Sequence, residues 1–194
     1  MIVKTASYVT QILIDSGVIE EENCEVYHFG LEMAFAMFLN LITTIMIGLL
    51  FRMLLESIVF LLLFIPLRSY AGGFHASNHF KCYWLSQFSV IAVLCLVQHF
   101  KYFVISPFGI SVAATCVVII FSCSPIPDLN RLYDEIEIYV FRKRARIVLL
   151  IELVVTAIFH LLEIRTYLAI TICVYILVGC VILIGILKNC IKNR

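Results

Sequence analysis

Charged residues are scarce in this chain: 14% of its 194 residues are Asp, Glu, Lys or Arg, whereas 63% are hydrophobic. Soluble domains carry about 25% charged residues, and the mean hydropathy here is +1.07. This composition excludes a soluble monomer and makes the bilayer the solvent. The prediction is all-α: a single polytopic membrane helical bundle over residues 1–194, in which each span takes about 20 residues.

Nucleic-acid binding is also without support in the sequence. The formal net charge is only +1, and no basic run carries the interleaved aromatic residues on which single strands stack. Disulfides are not expected either, although the chain has eight cysteines. Cys95, Cys116, Cys173 and Cys180 lie in apolar runs, where cysteine behaves as a small hydrophobic residue. We therefore expect free thiols.

The N-terminus lacks the pattern of a cleavable signal peptide, because it has one lysine and no long apolar stretch before a small-residue cleavage site. Its apolar positions, including Val9, Ile12 and Leu13, instead recur at helical spacing. Residues 1–30 are predicted to be an amphipathic segment lying on the membrane surface.

Five apolar segments predict spanning helices: 33–51, 84–103, 105–123, 147–164 and 166–187. A sixth segment, 53–67, contains Glu56 and ends near Pro66. It is expected to be either a short tilted span or a helix that enters from the membrane edge. About six transmembrane helices result.

The positive charges are distributed unevenly if all six segments cross. One side has only three basic residues, Arg52, Lys101 and Arg165, whereas the other has eleven: Lys4, Arg68, Lys81, Arg131, Arg142, Lys143, Arg144, Arg146, Lys188, Lys192 and Arg194. The positive-inside rule places the second group in the cytoplasm. The chain is then a multi-pass cell-membrane protein. The long polar stretch 124–146, a Pro-broken turn followed by a charged segment of helical propensity, becomes a cytoplasmic basic loop.

Residues 68–82 place two glycines, two histidines and a cysteine at a membrane edge. A cysteine is a nucleophile only as thiolate, which an imidazole, a cation or a helix N-terminus favours. Cys82 has a candidate for each: His75 or His79, Lys81, and the expected start of the third span. The glycine pair permits a tight turn or a close approach to a peptide.

Geometry alone leaves the choice of base open. His79 and Cys82 would be neighbours on one unbroken helix. His75 is seven residues away, about 10.5 Å along a helix axis, so a His75–Cys82 pair requires a bend between them. Ser77 and Asn78 supply capping chemistry for such a bend.

Two other interpretations of this segment compete with catalysis. His75, His79 and Cys82 could provide three zinc ligands, but the sequence has no evident fourth ligand and no H-E-x-x-H motif. We therefore predict neither a metal nor another cofactor. Alternatively, these residues are ordinary polar groups at a helix boundary.

The same residues resemble the accessory gene regulator B family. The resemblance rests on R-x-x-A-G-G-x-H-A, formed by residues 68–76, and on Cys82 seven residues after the histidine. The loop Ser124-Pro125-Ile126 through Asn130-Arg131 and the basic cluster after it are also similar. Leu132 departs from the pattern, because members often have proline there.

The resemblance implies a membrane cysteine endopeptidase with its active site on the cytoplasmic side. Cys82 is then the nucleophile and His75 the base, while Arg68, Gly72 and Gly73 support the motif. The implied partner is a small AgrD-like quorum-sensing propeptide, cleaved through a thioester and cyclised to a thiolactone or lactone. Ser86, Gln87 or backbone N–H groups could stabilise the oxyanion.

The basic cluster has two interpretations, which are compatible with each other. Arg142, Lys143, Arg144 and Arg146 could anchor a span at the headgroups, or attract an acidic tail of the propeptide. Glu56, Glu152 and His160 lie in or near apolar spans, where we expect pairing inside the bundle. The bilayer is the other partner, and symmetry favours a homodimer. A small transporter or a non-catalytic membrane partner protein remains the alternative function.

Overall fold

The computed structural model describes residues 2–73, 79–126 and 134–192. Within these ranges the chain is helical and contains no β-strand. Its seven α-helices are α1 (Ile2–Asp15), α2 (Cys24–Leu50), α3 (Leu54–Ala71), α4 (His79–Val104), α5 (Pro107–Cys123), α6 (Glu135–Leu161) and α7 (Arg165–Lys192), and a short 3-10 helix at Glu21–Asn23 precedes α2. The predicted all-α membrane bundle is confirmed.

Four helices are long and apolar enough to cross a membrane: α2, α3, α4 and α7. A fifth, α5, is apolar but has only 17 residues. Helix α6 has 27 residues and combines a charged first half with an apolar second half. Each predicted spanning segment therefore lies mainly on one helix, and a short turn closes each of the connections at 51–53, 105–106 and 162–164.

The prediction that the second span ends near Pro66 is wrong. Helix α3 has 18 residues and continues through Pro66 to Ala71. Proline lacks the N–H that would bond one turn back, but neighbouring helices compensate for this loss in membrane bundles. Leu67 and Ala71, which follow Pro66, are completely buried. Their packing holds the last turn of α3 in place.

Helix α7 is the centre of the bundle. It packs against α3, α4, α5 and α6, and its residues Ile170, Val174, Val178 and Ile182 are completely buried. By contrast, α2 exposes large apolar side chains along most of its length. In a membrane bundle such a face meets lipid, because lipid tails solvate apolar side chains as well as a protein core does.

The predicted N-terminal helix is present as α1, which packs against α2. Ala6 and Thr10 are buried at this contact, and Ser7 Oγ lies 2.9 Å from His28 Nε2. Val3 and Ile12 remain exposed. The position of α1 on the membrane surface stays a prediction.

The basic cluster lies on a helix rather than in a loop, which corrects the predicted boundary at residue 146. Asp134 caps α6, and its carboxylate and that of Glu137 form a reciprocal capping box. Two acidic residues in the first turn, Glu135 and Glu137, also interact favourably with the helix dipole. This local chemistry starts the helix at Glu135, twelve residues before the predicted span 147–164, so Arg142–Arg146 lie within α6.

Candidate active site

Cys82 lies in the first turn of α4, which begins at His79. Its thiol is free and half-buried. The first turn of α4 contains no acidic residue, and the neighbouring Lys81 is exposed. A helix N-terminus and a neighbouring cation are both features of the sites in which proteins place reactive cysteines. The predicted placement of Cys82 near a helix start is therefore present in the structure.

Of the two candidate bases, His79 is the one whose helix is described. His79 opens α4, three residues before Cys82 on the same helix. His75, the base implied by the family resemblance, lies outside the described residues. The alternative of a zinc site with three ligands needs His75 as well as His79, so it also lies outside the described residues. Among the side chains that the structure does describe, no cluster of three or more metal-ligating residues occurs.

The glycine pair ends α3 with a turn that only glycine adopts easily. Gly72 has φ +71° and Gly73 has φ +102°, both in the region that disfavours a Cβ atom. A Cβ at Gly72 would lie 2.4 Å from the carbonyl oxygen of Ile126, and one at Gly73 would lie 3.1 Å from that of Val181. The turn is therefore packed directly against two other backbone segments.

The turn is fixed by backbone hydrogen bonds to the segment that follows α5. The N–H of Ile126 donates to the carbonyl of Ala71 at 3.1 Å, and the N–H of Gly73 donates to the carbonyl of Ile126 at 3.1 Å. Together they form a short parallel bridge between Gly72 and Ile126. The bridge joins two segments on which the family resemblance depends, the glycine motif and the start of the 124–131 loop.

Arg68 supports the same turn from within α3. Its guanidinium donates to the carbonyl of Gly72, one of the groups that a helix C-terminus leaves without an intrahelical partner. Arg68 is half-buried. The predicted supporting residues Arg68, Gly72 and Gly73 are thus brought together in one structural unit, the glycine turn.

Part of the basic cluster reaches this end of α3. The Tyr70 ring lies 6.2 Å from the Phe141 ring of α6, and the guanidinium of Arg144 lies 5.7 Å from the Tyr70 ring. Arg142 and Lys143 are exposed. The cluster is therefore adjacent to the glycine turn through Tyr70.

Arg146 differs from the rest of the cluster in its burial. Its guanidinium lies 4.6 Å from the Phe121 ring of α5, a cation–π geometry. Its Nε is buried and has no hydrogen-bond partner among the described residues, as is also true of Ser124 Oγ. Arg146 thus packs between α5 and α6 and is less available to a substrate than its exposed neighbours.

The two predicted oxyanion donors have different environments. Gln87 is 3% exposed and donates from Nε2 to Asn40 Oδ1 of α2 at 2.8 Å. One turn earlier on α4, Tyr83 and Thr43 of α2 pair through their hydroxyls at 3.0 Å. Ser86 is half-buried and shares the helix face of Cys82, because it lies one turn further on. This geometry favours Ser86 over Gln87 as a neighbour of the thiol.

Sequence reasoning missed several residues that hold this region together. Asn40, Thr43 and Tyr83 fix the start of α4 to α2, and Val181 lies under Gly73. The only signal for Asn40 and Thr43 was a polar residue inside an apolar span. Nothing in the sequence links residues 40 and 87, because neither periodicity nor motif spacing reports contacts between distant helices.

The expected pairing of Glu152 is not found. Glu152 is 4% exposed, and both of its carboxyl oxygens are buried without a partner among the described residues. One turn further on, the hydroxyl of Thr156 forms a hydrogen bond of 2.8 Å with the hydroxyl of Tyr175 of α7. Glu56 is half-buried and His160 is exposed.

Comparison with known protein families identifies a match over most of the chain. The model of the family described as accessory gene regulator B matches residues 6–190 of the chain. The matched range starts in α1, ends in the last turn of α7, and includes both the glycine turn and Cys82. No curated protein and no solved structure matches the chain.

Proposed function

Because the chain belongs to the accessory gene regulator B family, we propose that it is a membrane cysteine endopeptidase that cleaves and cyclises a small propeptide. Family membership supports a role in quorum-sensing peptide processing. The cysteine mechanism, the catalytic residues and the cyclisation are our proposal. The half-buried thiol of Cys82 in the first turn of α4, nine residues after Gly73 of the fixed glycine turn, carries the proposal.

In the first step, Cys82 attacks a peptide carbonyl of the propeptide. The Sγ proton passes to the base, for which we propose His75, and the thiolate forms a bond to the carbonyl carbon. The tetrahedral intermediate then collapses, the C–N bond breaks, and the base returns the proton to the leaving amine. The C-terminal segment departs, and the rest of the propeptide remains as a thioester on Cys82.

In the second step, a cysteine or serine of the bound propeptide attacks the thioester carbonyl. The base takes the proton of this nucleophile, the C–S bond to Cys82 breaks, and Cys82 regains a proton as the thiolactone or lactone ring closes. Water must stay away from the thioester, because hydrolysis would give a linear acid. Cys82 lies at the start of the apolar helix α4, and this position favours the exclusion of water.

The elements around the glycine turn suit these steps. Contacts with Ile126, Val181 and Arg68 fix the backbone of the glycine turn. The turn therefore fixes the position of the residue from which the 74–78 connection starts. A substrate-binding group held rigidly loses less entropy when the complex forms. The exposed cations Arg142 and Lys143 on α6 are available to an acidic propeptide tail.

The active site is placed on the cytoplasmic side in this proposal. Arg68 lies near the end of α3, Lys81 in the first turn of α4, and Arg144 of the basic cluster beside Tyr70 of α3. Lys101 lies near the opposite end of α4, and Arg165 follows the opposite end of α6. The positive-inside rule then gives the orientation. A homodimer stays a prediction.

The test is mass spectrometry of a candidate propeptide co-expressed with the full chain. The variants are Cys82→Ala, His75→Ala and His79→Ala, with Cys123→Ala as the matched control because Cys123 is exposed and free at the end of α5. We expect Cys82→Ala and His75→Ala to abolish cleavage, while His79→Ala and Cys123→Ala retain it.

Each outcome assigns a role. Loss of cleavage in His79→Ala with retention in His75→Ala would transfer the base to His79 and leave the peptidase proposal intact. Processing that continues without Cys82 would refute the cysteine mechanism and favour a transporter or a non-catalytic partner. Thiol labelling provides a second readout, because only a peptidase predicts that Cys82 reacts faster than the half-buried Cys24 and Cys95 near neutral pH.

A further inference from the structure

A crevice of about 360 Å³ lies between α5, α6 and α7. Its volume falls in the range of ligand-binding pockets. Most of its lining is apolar, and residues from each helix contribute: Ala113 and Ala114 of α5, Leu153 and Ala157 of α6, and Leu168 and Ile172 of α7. The crevice is near the start of α5 and so lies away from Ile126 and the glycine turn.

The crevice opens sideways from the bundle. On its floor Leu168 and Ile172 of α7 are buried, whereas Ala114 and Ala157 at its edges are exposed. Ile110, which also lines the crevice, is 45% exposed. The gap exists because alanines occupy the facing positions of α5 and α6. In a bilayer this opening faces acyl chains rather than water.

The polar groups on the floor are already satisfied. Thr156 has one hydroxyl proton and donates it to the carbonyl of Glu152 at 2.7 Å. The hydroxyl of Tyr175, 2.8 Å away, must therefore donate to Thr156. The donors of Thr156 and Tyr175 are thus used within the protein, which leaves His160 as the remaining polar side chain in a lining that otherwise suits an apolar ligand.

Positive charge lies one helical turn from the lining of the crevice. Arg165 precedes Leu168 by one turn on α7, and positions 165, 168, 172 and 175 share one helix face. The Arg165 guanidinium lies 6.0 Å from the Tyr102 ring, and Lys101 Nζ lies 5.6 Å from the same ring. Both cations are thus held beside one aromatic ring. The adjoining turn contributes one carboxylate, that of Glu163. Arg165, Lys101 and Glu163 together therefore carry one net positive charge.

We propose that the crevice binds one acyl chain of an anionic phospholipid whose phosphate is held by Arg165 and Lys101. An apolar slot with a cation one helical turn from its lining matches the two parts of such a lipid, and basic pockets between membrane helices are a known way to bind anionic headgroups. A neutral or cationic lipid would fill the slot without this charge pairing. The site does not involve Cys82, so it stands or falls independently of the proposed peptidase activity.

The test compares lipids on the purified full chain in detergent. Phosphatidylglycerol, phosphatidylcholine and inorganic phosphate are added at equal concentration, and the midpoint of thermal unfolding and the lipid retained in native mass spectrometry are measured. For the wild type we expect phosphatidylglycerol to bind about fivefold more tightly than phosphatidylcholine. Inorganic phosphate alone, which lacks the acyl chain, should give no shift.

Three variants separate the parts of the site. Arg165→Gln removes the charge pairing and should abolish the preference for phosphatidylglycerol, whereas Glu163→Gln in the same turn should keep or increase it. Ala157→Phe fills the crevice and should lower the binding of both lipids. Ala34→Phe, at an exposed alanine of α2, is the matched control and should leave binding unchanged. Equal binding of the two lipids by the wild type, or an unchanged preference in Arg165→Gln, would overturn the proposal.

Discussion

Gly72 and Ile126 lie so close that a single methyl group could not be placed between them. Fifty-four positions separate the two residues in the sequence, yet a Cβ on Gly72 would lie 2.4 Å from the Ile126 carbonyl oxygen. Two backbone hydrogen bonds of 3.1 Å hold the contact. The chain before the proposed catalytic residues is therefore positioned by a loop between two other helices.

Gly72→Ala should damage both stability and processing. Positive φ and the clash with Ile126 should lower the free energy of unfolding by about 1–3 kcal/mol. Displacement of the 74–78 connection should slow propeptide cleavage on the order of 10²-fold. Gly30→Ala is the matched control, because nothing lies within 4 Å of its Cβ position in α2. If both variants process the propeptide at the wild-type rate, the glycine turn has no part in the reaction.

The Asn40–Gln87 pair should couple α2 to α4. Asn40→Leu removes the acceptor of a buried amide, and interhelical hydrogen bonds of this kind contribute about 0.6–1.7 kcal/mol in membrane proteins. A double-mutant cycle with Gln87→Leu, followed by thermal unfolding, measures the coupling. Cleavage by Gln87→Leu should fall only in proportion to the folded fraction. A much larger loss, absent in Asn40→Leu, would instead make Gln87 an oxyanion donor.

Glu152 should be replaceable without loss of stability. A buried carboxyl without a partner is unfavourable, so Glu152→Leu should raise the midpoint of thermal unfolding, by an amount equivalent to about 1–3 kcal/mol. Thr156→Val should lower the midpoint, because it leaves the Tyr175 hydroxyl without its acceptor. A fall in stability for Glu152→Leu would show that the carboxyl has a partner in the membrane-embedded protein.

The exposed cations of α6 should contribute to substrate affinity. Replacement of both Arg142 and Lys143 by glutamine should raise KM for an acidic-tailed propeptide about threefold to fivefold and leave kcat unchanged. The dependence of KM on salt concentration should weaken at the same time, because fewer charges remain to be screened. Arg52→Gln, at the turn after α2, serves as the control. An unchanged KM would restrict the two residues to anchoring the helix.

The orientation of the bundle can be tested by labelling intact cells with a membrane-impermeant maleimide. Leu162→Cys places a thiol in the exposed turn after α6, on the side predicted to face away from the cytoplasm. It should be labelled in intact cells, whereas the native Cys190 near the end of α7 should react only after lysis. The reverse pattern would invert the topology and move the proposed active site outside.

The sequence predicted the helices well and their ends poorly. Hydropathy located the apolar centre of each span, because a window of about 20 residues averages over local detail. It missed the last turn of α3 after Pro66 and the first turn of α4, where His79 and Lys81 lower the average. It also missed the start of α6, which capping chemistry at Asp134 determines. Helix ends depend on single residues and on packing, to which averaging is insensitive.

The sequence predicted those parts of the candidate site whose residues lie close together along the chain. The motif located Arg68, Gly72, Gly73 and Cys82, and the structure joins the first three in one turn. Partners from distant helices, such as Asn40 for Gln87 and Ile126 for Gly72, carry no sequence signal that one chain can reveal. The His75–Cys82 relationship lies outside the described residues and stays a prediction.

The bridge at Ile126 is made by its main-chain N–H and carbonyl, and this determines which sequence changes the segment after α5 can accept. Another aliphatic side chain at 126 would keep both hydrogen bonds, whereas proline would remove the donor to Ala71. Insertion or deletion of one residue between Cys123 and Ile126 would shift the register and present the wrong peptide group to Gly72. Related sequences that share this turn should therefore vary in the chemistry of this segment far more than in its length.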